Sequence, residues 1–145
     1  MAQSMARRPH RPIAIVRRPV SGMILPVAVT CFVGALITDL AYQGSGGTLL
    51  WVNFSSWLIA AGLVLSAIAL VFLIIDAVRR AASWLAAGLL LVIWVLEFVN
   101  SLVHARDGWT AVVPAGLMLS AIGAVLILVC AWFASSARYA EGGWA

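Results

Sequence analysis

The chain has 145 residues, 64% of them apolar and 10% charged, with a mean hydropathy of +1.08. Those values exclude a soluble globular domain and a disordered chain alike. The net charge of +4 comes from nine arginines and no lysine, set against five acidic residues, and five of the arginines precede residue 19.

The first 19 residues carry Arg7, Arg8, Arg11, Arg17 and Arg18 together with Pro9, Pro12 and Pro19. Proline opposes a helix, and no aromatic residue is present to stack on a base, so nucleic acid is not an expected partner. A basic arm beside the first apolar run is an orientation signal that contacts anionic lipid. The basic stretch is too long, and the following apolar run too long, for a cleaved signal peptide.

Four apolar runs follow, at about residues 20–41, 55–78, 82–103 and 112–135, and most of the charges lie outside them. Each is long enough at about 1.5 Å per residue to cross a hydrocarbon core of about 30 Å. The expected fold is all-α: an integral membrane four-helix up-down bundle over residues 20–138, with a cytoplasmic arm at 1–19 and a cytoplasmic tail at 139–145. With the arm inside, Arg79, Arg80 and Arg138 also fall inside and only Arg106 falls outside. The positive-inside rule therefore places both termini in the cytoplasm of a bacterial inner membrane, the arginine-only, alanine-rich usage being that of a GC-rich bacterial genome.

The linkers are short. Gln43-Gly44-Ser45-Gly46-Gly47 and Ala105-Arg106-Asp107-Gly108 form outer turns, and Arg79-Arg80 an inner one. Short linkers make consecutive spans antiparallel neighbours. Tyr42, Trp51, Trp57 and Trp109 are expected in the outer aromatic belt, and Trp84, Trp132, Tyr139 and Trp144 in the inner one. Trp94 lies deep within the third span.

Small residues recur at packing spacing: Gly62 and Ser66 in the second span, and Gly116, Ser120 and Ala124 in the fourth. Such stripes let helices approach closely, either within one bundle or across a homo-oligomer seam. Residues 61–68 resemble residues 115–122, which suggests two duplicated hairpins. Cys31 and Cys130 sit at depths differing by about 8 Å, which argues against a disulfide.

The polar positions inside the spans are the candidates for chemistry. Glu97 lies in the outer half of the third span, where a carboxylate facing lipid is costly, so it should face the bundle interior. Asn100, Ser101 and His104 follow at i+3, i+4 and i+7, and place all four on one helical stripe. Such a set could pass protons or hold a cation, or simply tie the helices together. Asp39 ends the first span at the same side and reads by itself as interfacial. Asp76 precedes Arg79 and Arg80 by three and four residues, the spacing of a local ion pair.

A two-histidine haem is excluded, because His10 and His104 fall on opposite sides of the membrane. His104 with Met118 is the one remaining axial pair. No zinc spacing, nucleophile elbow or phosphate loop is present, so no enzymatic activity, cofactor or metal is expected.

Residues Arg18-Pro19-Val20-Ser21-Gly22-Met23-Ile24-Leu25-Pro26, then Gly34 to Leu40 with Asp39 near the end of the span, resemble the start of a bacterial membrane family, domain of unknown function 2231. The Ile75-Asp76, Asn100–Asp107 and Trp132–Tyr139 segments resemble it too, so the likeness covers most of residues 18–140. Its members open with His-Pro-x-His-Pro. Arg18 and Ser21 stand here in place of those histidines, so no role for such a pair carries over. The resemblance implies a four-span fold and no established activity.

Two functions fit these readings. The first is a structural or accessory subunit acting by association, as a homo-oligomer or within a larger membrane complex, with the lipid bilayer as its other partner. The second is a small transporter or proton-coupled channel, with Asp39, Glu97, Asn100, Ser101 and His104 in its outer half.

Overall fold

A computed structural model describes residues 20–79, 82–106 and 112–142, with side chains to residue 136. It holds four long helices: α1 (Ser21–Gly44), α2 (Leu49–Val78), α3 (Trp84–His104) and α4 (Leu117–Gly142), with a kinked segment, Val112–Gly116, leading into α4. All four spans are long and apolar enough to cross a membrane. No strand occurs among the described residues.

Helix ends differ from the apolar runs in an informative way. α2 starts at Leu49, well before residue 55, and α4 continues past residue 135. Asn53, Ser55 and Ser56 lower the hydropathy of the first two turns of α2, but the backbone there still needs intrahelical partners. Ser56 donates to Val52 O at 2.9 Å and so spends its hydroxyl on its own helix. The α1–α2 turn requires its glycines: Gly46 and Gly47 have φ of +71° and +96°, and Gly47 N–H donates to Tyr42 O at 3.0 Å. Ser83 caps α3 by accepting from Leu85 N–H at 3.2 Å. Val113 is extended (φ −105°, ψ 128°), as the residue before Pro114 must be, and this bends the chain into α4.

The helices touch around a ring, α1 to α2 to α3 to α4 and back to α1, with α1 and α2 sharing the most extensive interface. Contacts join opposite ends of neighbouring helices. Ser21 at the start of α1 donates to Asp76 near the end of α2 at 2.8 Å, and Cys130 late in α4 donates to Ala86 O early in α3 at 3.6 Å. The surface is apolar nearly all round: Met23, Val64, Leu85 and Val125 are each more than half exposed, while Asp39, Glu97, Asn100 and His104 are buried. Such an inverted distribution suits a lipid environment.

The main core runs through Leu25, Phe32, Ala69, Leu73, Leu90, Ile93 and Ile127. Gly62 makes room for the Phe32 ring of α1, because a Cβ there would sit 2.5 Å from it. Trp94 pins α3 to α2 through its indole N–H, which donates to Leu63 O at 3.1 Å, and it stacks on Phe98 at 5.5 Å.

Several expectations change. Tyr42 is not a belt residue. It is buried with Val52 and Val112, whereas Trp57, Trp84 and Trp132 are well exposed and Trp51 is partly buried. Trp109 and Trp144 and the side chain of Tyr139 lie outside the described residues, as do the arm at 1–19, Arg80, Asp107, Gly108 and the Arg138 side chain. Asp76 makes no ion pair with Arg79, which is exposed, and accepts from Ser21 beside the N-terminus of α1, where a carboxylate is favoured; its other expected partner, Arg80, lies outside the described residues.

The duplicated-hairpin reading also fails to map. Ser120 meets Asp39 at the same level as Ser55, whereas Ser66, its supposed counterpart, lies eleven residues beyond Ser55, about 16 Å deeper. Cys31 and Cys130 are both free.

Candidate functional site

At the end of the bundle that carries the α1–α2 and α3–α4 connections, six polar side chains from all four helices meet: Asp39 of α1, Ser55 of α2, Glu97, Asn100 and His104 of α3, and Ser120 of α4. None is more than 1% exposed. Asp39 is the hub. Its Oδ1 accepts from Ser55 Oγ–H at 2.5 Å and its Oδ2 from Ser120 Oγ–H at 2.5 Å, and His104 Nε2 lies 3.0 Å from Oδ1. A residue that reads as interfacial is therefore the most shared side chain of the fold, and the reason is register: the face of α1 that carries Leu25, Phe32 and Ala35 inward carries Asp39 too.

α3 supplies the rest. Asn100 donates one Nδ2 hydrogen to Glu97 Oε2 at 3.0 Å and the other to Ser120 Oγ at 2.9 Å. His104 Nδ1 lies 3.0 Å from Asn100 O, one turn back on its own helix. Polar contact thus runs without a break from Glu97 through Asn100 and Ser120 to Asp39, and on to Ser55 and His104.

Ser101 departs from the stripe. It is only partly buried and donates to Phe98 O at 2.7 Å. At about 100° per residue, Ser101 lies about 40° to one side of Glu97, while Asn100 and His104 lie about 60° and 20° to the other. The cluster is centred on that other side, so Ser101 turns away from it.

All the small-residue positions prove internal. Gly62, Ser66, Gly116, Ser120 and Ala124 are buried within the bundle. Two glycines of α4 make room for the polar side chains. A Cβ on Gly116 would meet His104 Cε1 at 2.9 Å, and one on Gly123 would collide with Glu97 Oε1. Gly123 and Ser55 are the residues that sequence reasoning missed. Gly123 lies three residues past Ser120 on the same helix face, so the i+3 spacing was the available signal.

Two buried acceptors have no partner among the described residues, Glu97 Oε1 and Asn100 Oδ1. An apolar cap of Tyr42, Val52 and Val112 sits one turn nearer the helix ends than Asp39, Ser55 and Gly116. His104, the last residue of α3, is buried beneath it. No three His, Cys, Asp or Glu side chains among the described residues are placed to hold a metal ion. Met118 is 61% exposed on the outside of α4 while His104 faces inward, so the two do not form an axial pair.

The family profile described as "Predicted membrane protein (DUF2231)" matches residues 17–143. The chain belongs to the DUF2231 family. The match spans all four helices of this DUF2231 chain and every residue of the polar cluster. No curated protein matches the chain, and no solved structure does. For DUF2231 the match supplies a membrane assignment and no activity.

Proposed function

We propose that this protein is a small multi-pass protein of a bacterial inner membrane that handles protons, as a proton-coupled transporter or channel, through the buried Asp39–His104–Glu97 cluster. One observation carries the reading: three titratable side chains, drawn from α1 and α3 and buried to within 1% of completely, are joined by Asn100 and the serines of α2 and α4 into one network. Ionisable groups inside a membrane are costly to keep and mark pathways for ions and protons. A purely structural polar pin also tends to satisfy its acceptors, yet Glu97 Oε1 and Asn100 Oδ1 have no partner among the described residues.

The rival reading, an accessory subunit acting by association, rests on small size, the absence of catalytic motifs and the small-residue stripes. Those residues are occupied inside the bundle, several of them against the cluster itself.

The membrane arrangement belongs to the same proposal: four spans running up-down-up-down, with both termini cytoplasmic and the cluster in the outer leaflet. Gln43, exposed beside the α1–α2 turn, is the reporter for it. Gln43→Cys is expected to react with a membrane-impermeant thiol reagent in intact cells, since Cys31 and Cys130 lie within the spans and stay silent. Reaction only after permeabilisation would reverse the orientation.

The activity is tested in liposomes holding the purified protein and a pH-sensitive dye. An imposed pH gradient should collapse faster than in empty liposomes, and Glu97→Gln and Asp39→Asn should each slow the collapse at least about tenfold, the size of a lost proton-transfer group. A rate equal to that of empty liposomes, with and without candidate solutes, would remove the proposal.

A further inference from the structure

The partners of each polar atom in the cluster fix how many protons it holds. Neutral imidazole has one N–H, yet both ring nitrogens of His104 face oxygen: Nδ1 the Asn100 carbonyl at 3.0 Å, and Nε2 the Asp39 carboxyl at 3.0 Å. The carbonyl can only accept, so Nδ1 carries a hydrogen. A second hydrogen must then lie on the Nε2–Oδ1 side. Ser55 Oγ lies 3.3 Å from Nε2, 3.4 Å from Ala35 O and 2.5 Å from Oδ1; its one hydrogen goes to the shortest of these contacts, Oδ1, and so leaves the sum unchanged. Asp39 receives from Ser55, Ser120 and His104, the surroundings of a carboxylate rather than of an acid. The pair is therefore imidazolium and carboxylate, neutral in sum.

The second place is Glu97. Its Oε2 accepts from one Asn100 hydrogen, while Glu97 Oε1 and Asn100 Oδ1 are left as two acceptors with no donor. A hydrogen on Glu97 Oε1 turns one of these bare acceptors into a donor and leaves no net charge on the side chain. Among the described residues no cation could do so instead: α1 brings Asp39, α2 Ser55, α3 Glu97 and His104, and α4 Ser120, while Arg79 and Arg106 are exposed and make no ion pair.

Building on the proton-handling reading, we infer that the cluster contains two separate proton-binding sites, one at Glu97 Oε1 beside Asn100 and Gly123, the other within the Asp39–His104 pair, with Asn100 insulating them from each other. The insulation follows from chemistry. Asn100 donates both amide hydrogens, one to each site, and an amide keeps its hydrogens where a hydroxyl or imidazole would relay them. The ligand of the Glu97 site is a proton delivered by water, and its loss and return leave the charge of the Asp39–His104 pair unchanged.

Infrared and nitrogen-15 NMR spectra of the full chain in lipid at neutral pH test this without any flux measurement. One protonated-carboxyl carbonyl band is expected. It should shift when glutamate is labelled with carbon-13 and stay when aspartate is, and Glu97→Gln should abolish it. In a His10→Gln background with labelled histidine, both His104 nitrogens should appear as N–H, in the parent chain and in Glu97→Gln alike. No protonated carboxyl, a band that follows aspartate labelling, a single His104 N–H, or a His104 spectrum altered by Glu97→Gln would each overturn the inference. The isotope-labelled parent decides the count even where a variant fails to fold. Absent flux with these spectra intact would remove the transport reading and leave the two sites standing.

Discussion

Asp39→Leu is expected to destabilise the bundle by about 3–5 kcal/mol, measured as reversible unfolding in mixed micelles titrated with SDS. The leucine preserves bulk but removes the acceptor shared by Ser55, Ser120 and His104. Were these three ordinary neutral hydrogen bonds between membrane helices, at about 0.6 kcal/mol each, the loss would be about 2 kcal/mol. The larger figure applies because His104 would be left as an uncompensated buried cation. Its partner experiment gives the sign. Asp39→Leu combined with His104→Leu removes both charges and should cost less than Asp39→Leu alone, since two apolar side chains of suitable volume replace a desolvated pair. A double variant as costly as the two single losses added together would mean that the pair is not ionic.

Gly123→Ala is the second large effect and arises from shape rather than charge. The new Cβ would occupy the position of Glu97 Oε1, with Leu96 at 3.3 Å closing the other side. The carboxyl is held by Asn100, so either the side chain leaves its bond or α3 and α4 part. Overpacking of this kind costs about 1–3 kcal/mol, and slower proton movement should accompany it. Gly88→Ala is the internal control: it lies on the exposed face of the same bundle with open space around it, so it should be neutral or gain up to about 1 kcal/mol of helix propensity. Gly123→Ala combined with Glu97→Ala should show a favourable coupling of about 1–3 kcal/mol, because the methyl then fills the room the carboxyl left. Additive losses would show that Gly123 matters for some other contact.

Asp39→Leu and Glu97→Gln separate two properties of the cluster. Asp39 holds the helix ends together, so its loss should be felt as instability first. Glu97 bonds only within α3, to Asn100, so Glu97→Gln should preserve the fold while changing proton binding. Stability, flux and spectra read on both variants therefore distinguish a polar pin from a proton site.

Much of this architecture is local in origin and so was legible in the chain. Four apolar runs with short Gly- and Arg-bearing linkers dictate four helices, because unpaired backbone groups are too costly in hydrocarbon for any other spanning form here. That Glu97, Asn100 and His104 share a face follows from their spacing alone, and burial follows from the cost of exposing them to lipid. What tertiary structure decided was how each helix is rotated about its own axis and at which level it meets its neighbours. Helices that are apolar on nearly every side carry no strong pattern to announce that rotation. So Asp39 could read as interfacial and prove the hub, Ser101 could read as part of the stripe and turn away, and Ser66 could read as the twin of Ser120 while lying about three turns deeper. Gly116 and Gly123 acquire their meaning only from the His104 and Glu97 side chains that lie against them. Helix formation is a property of each segment in its solvent, whereas the meeting of six polar side chains at one point depends on contacts between segments far apart in sequence.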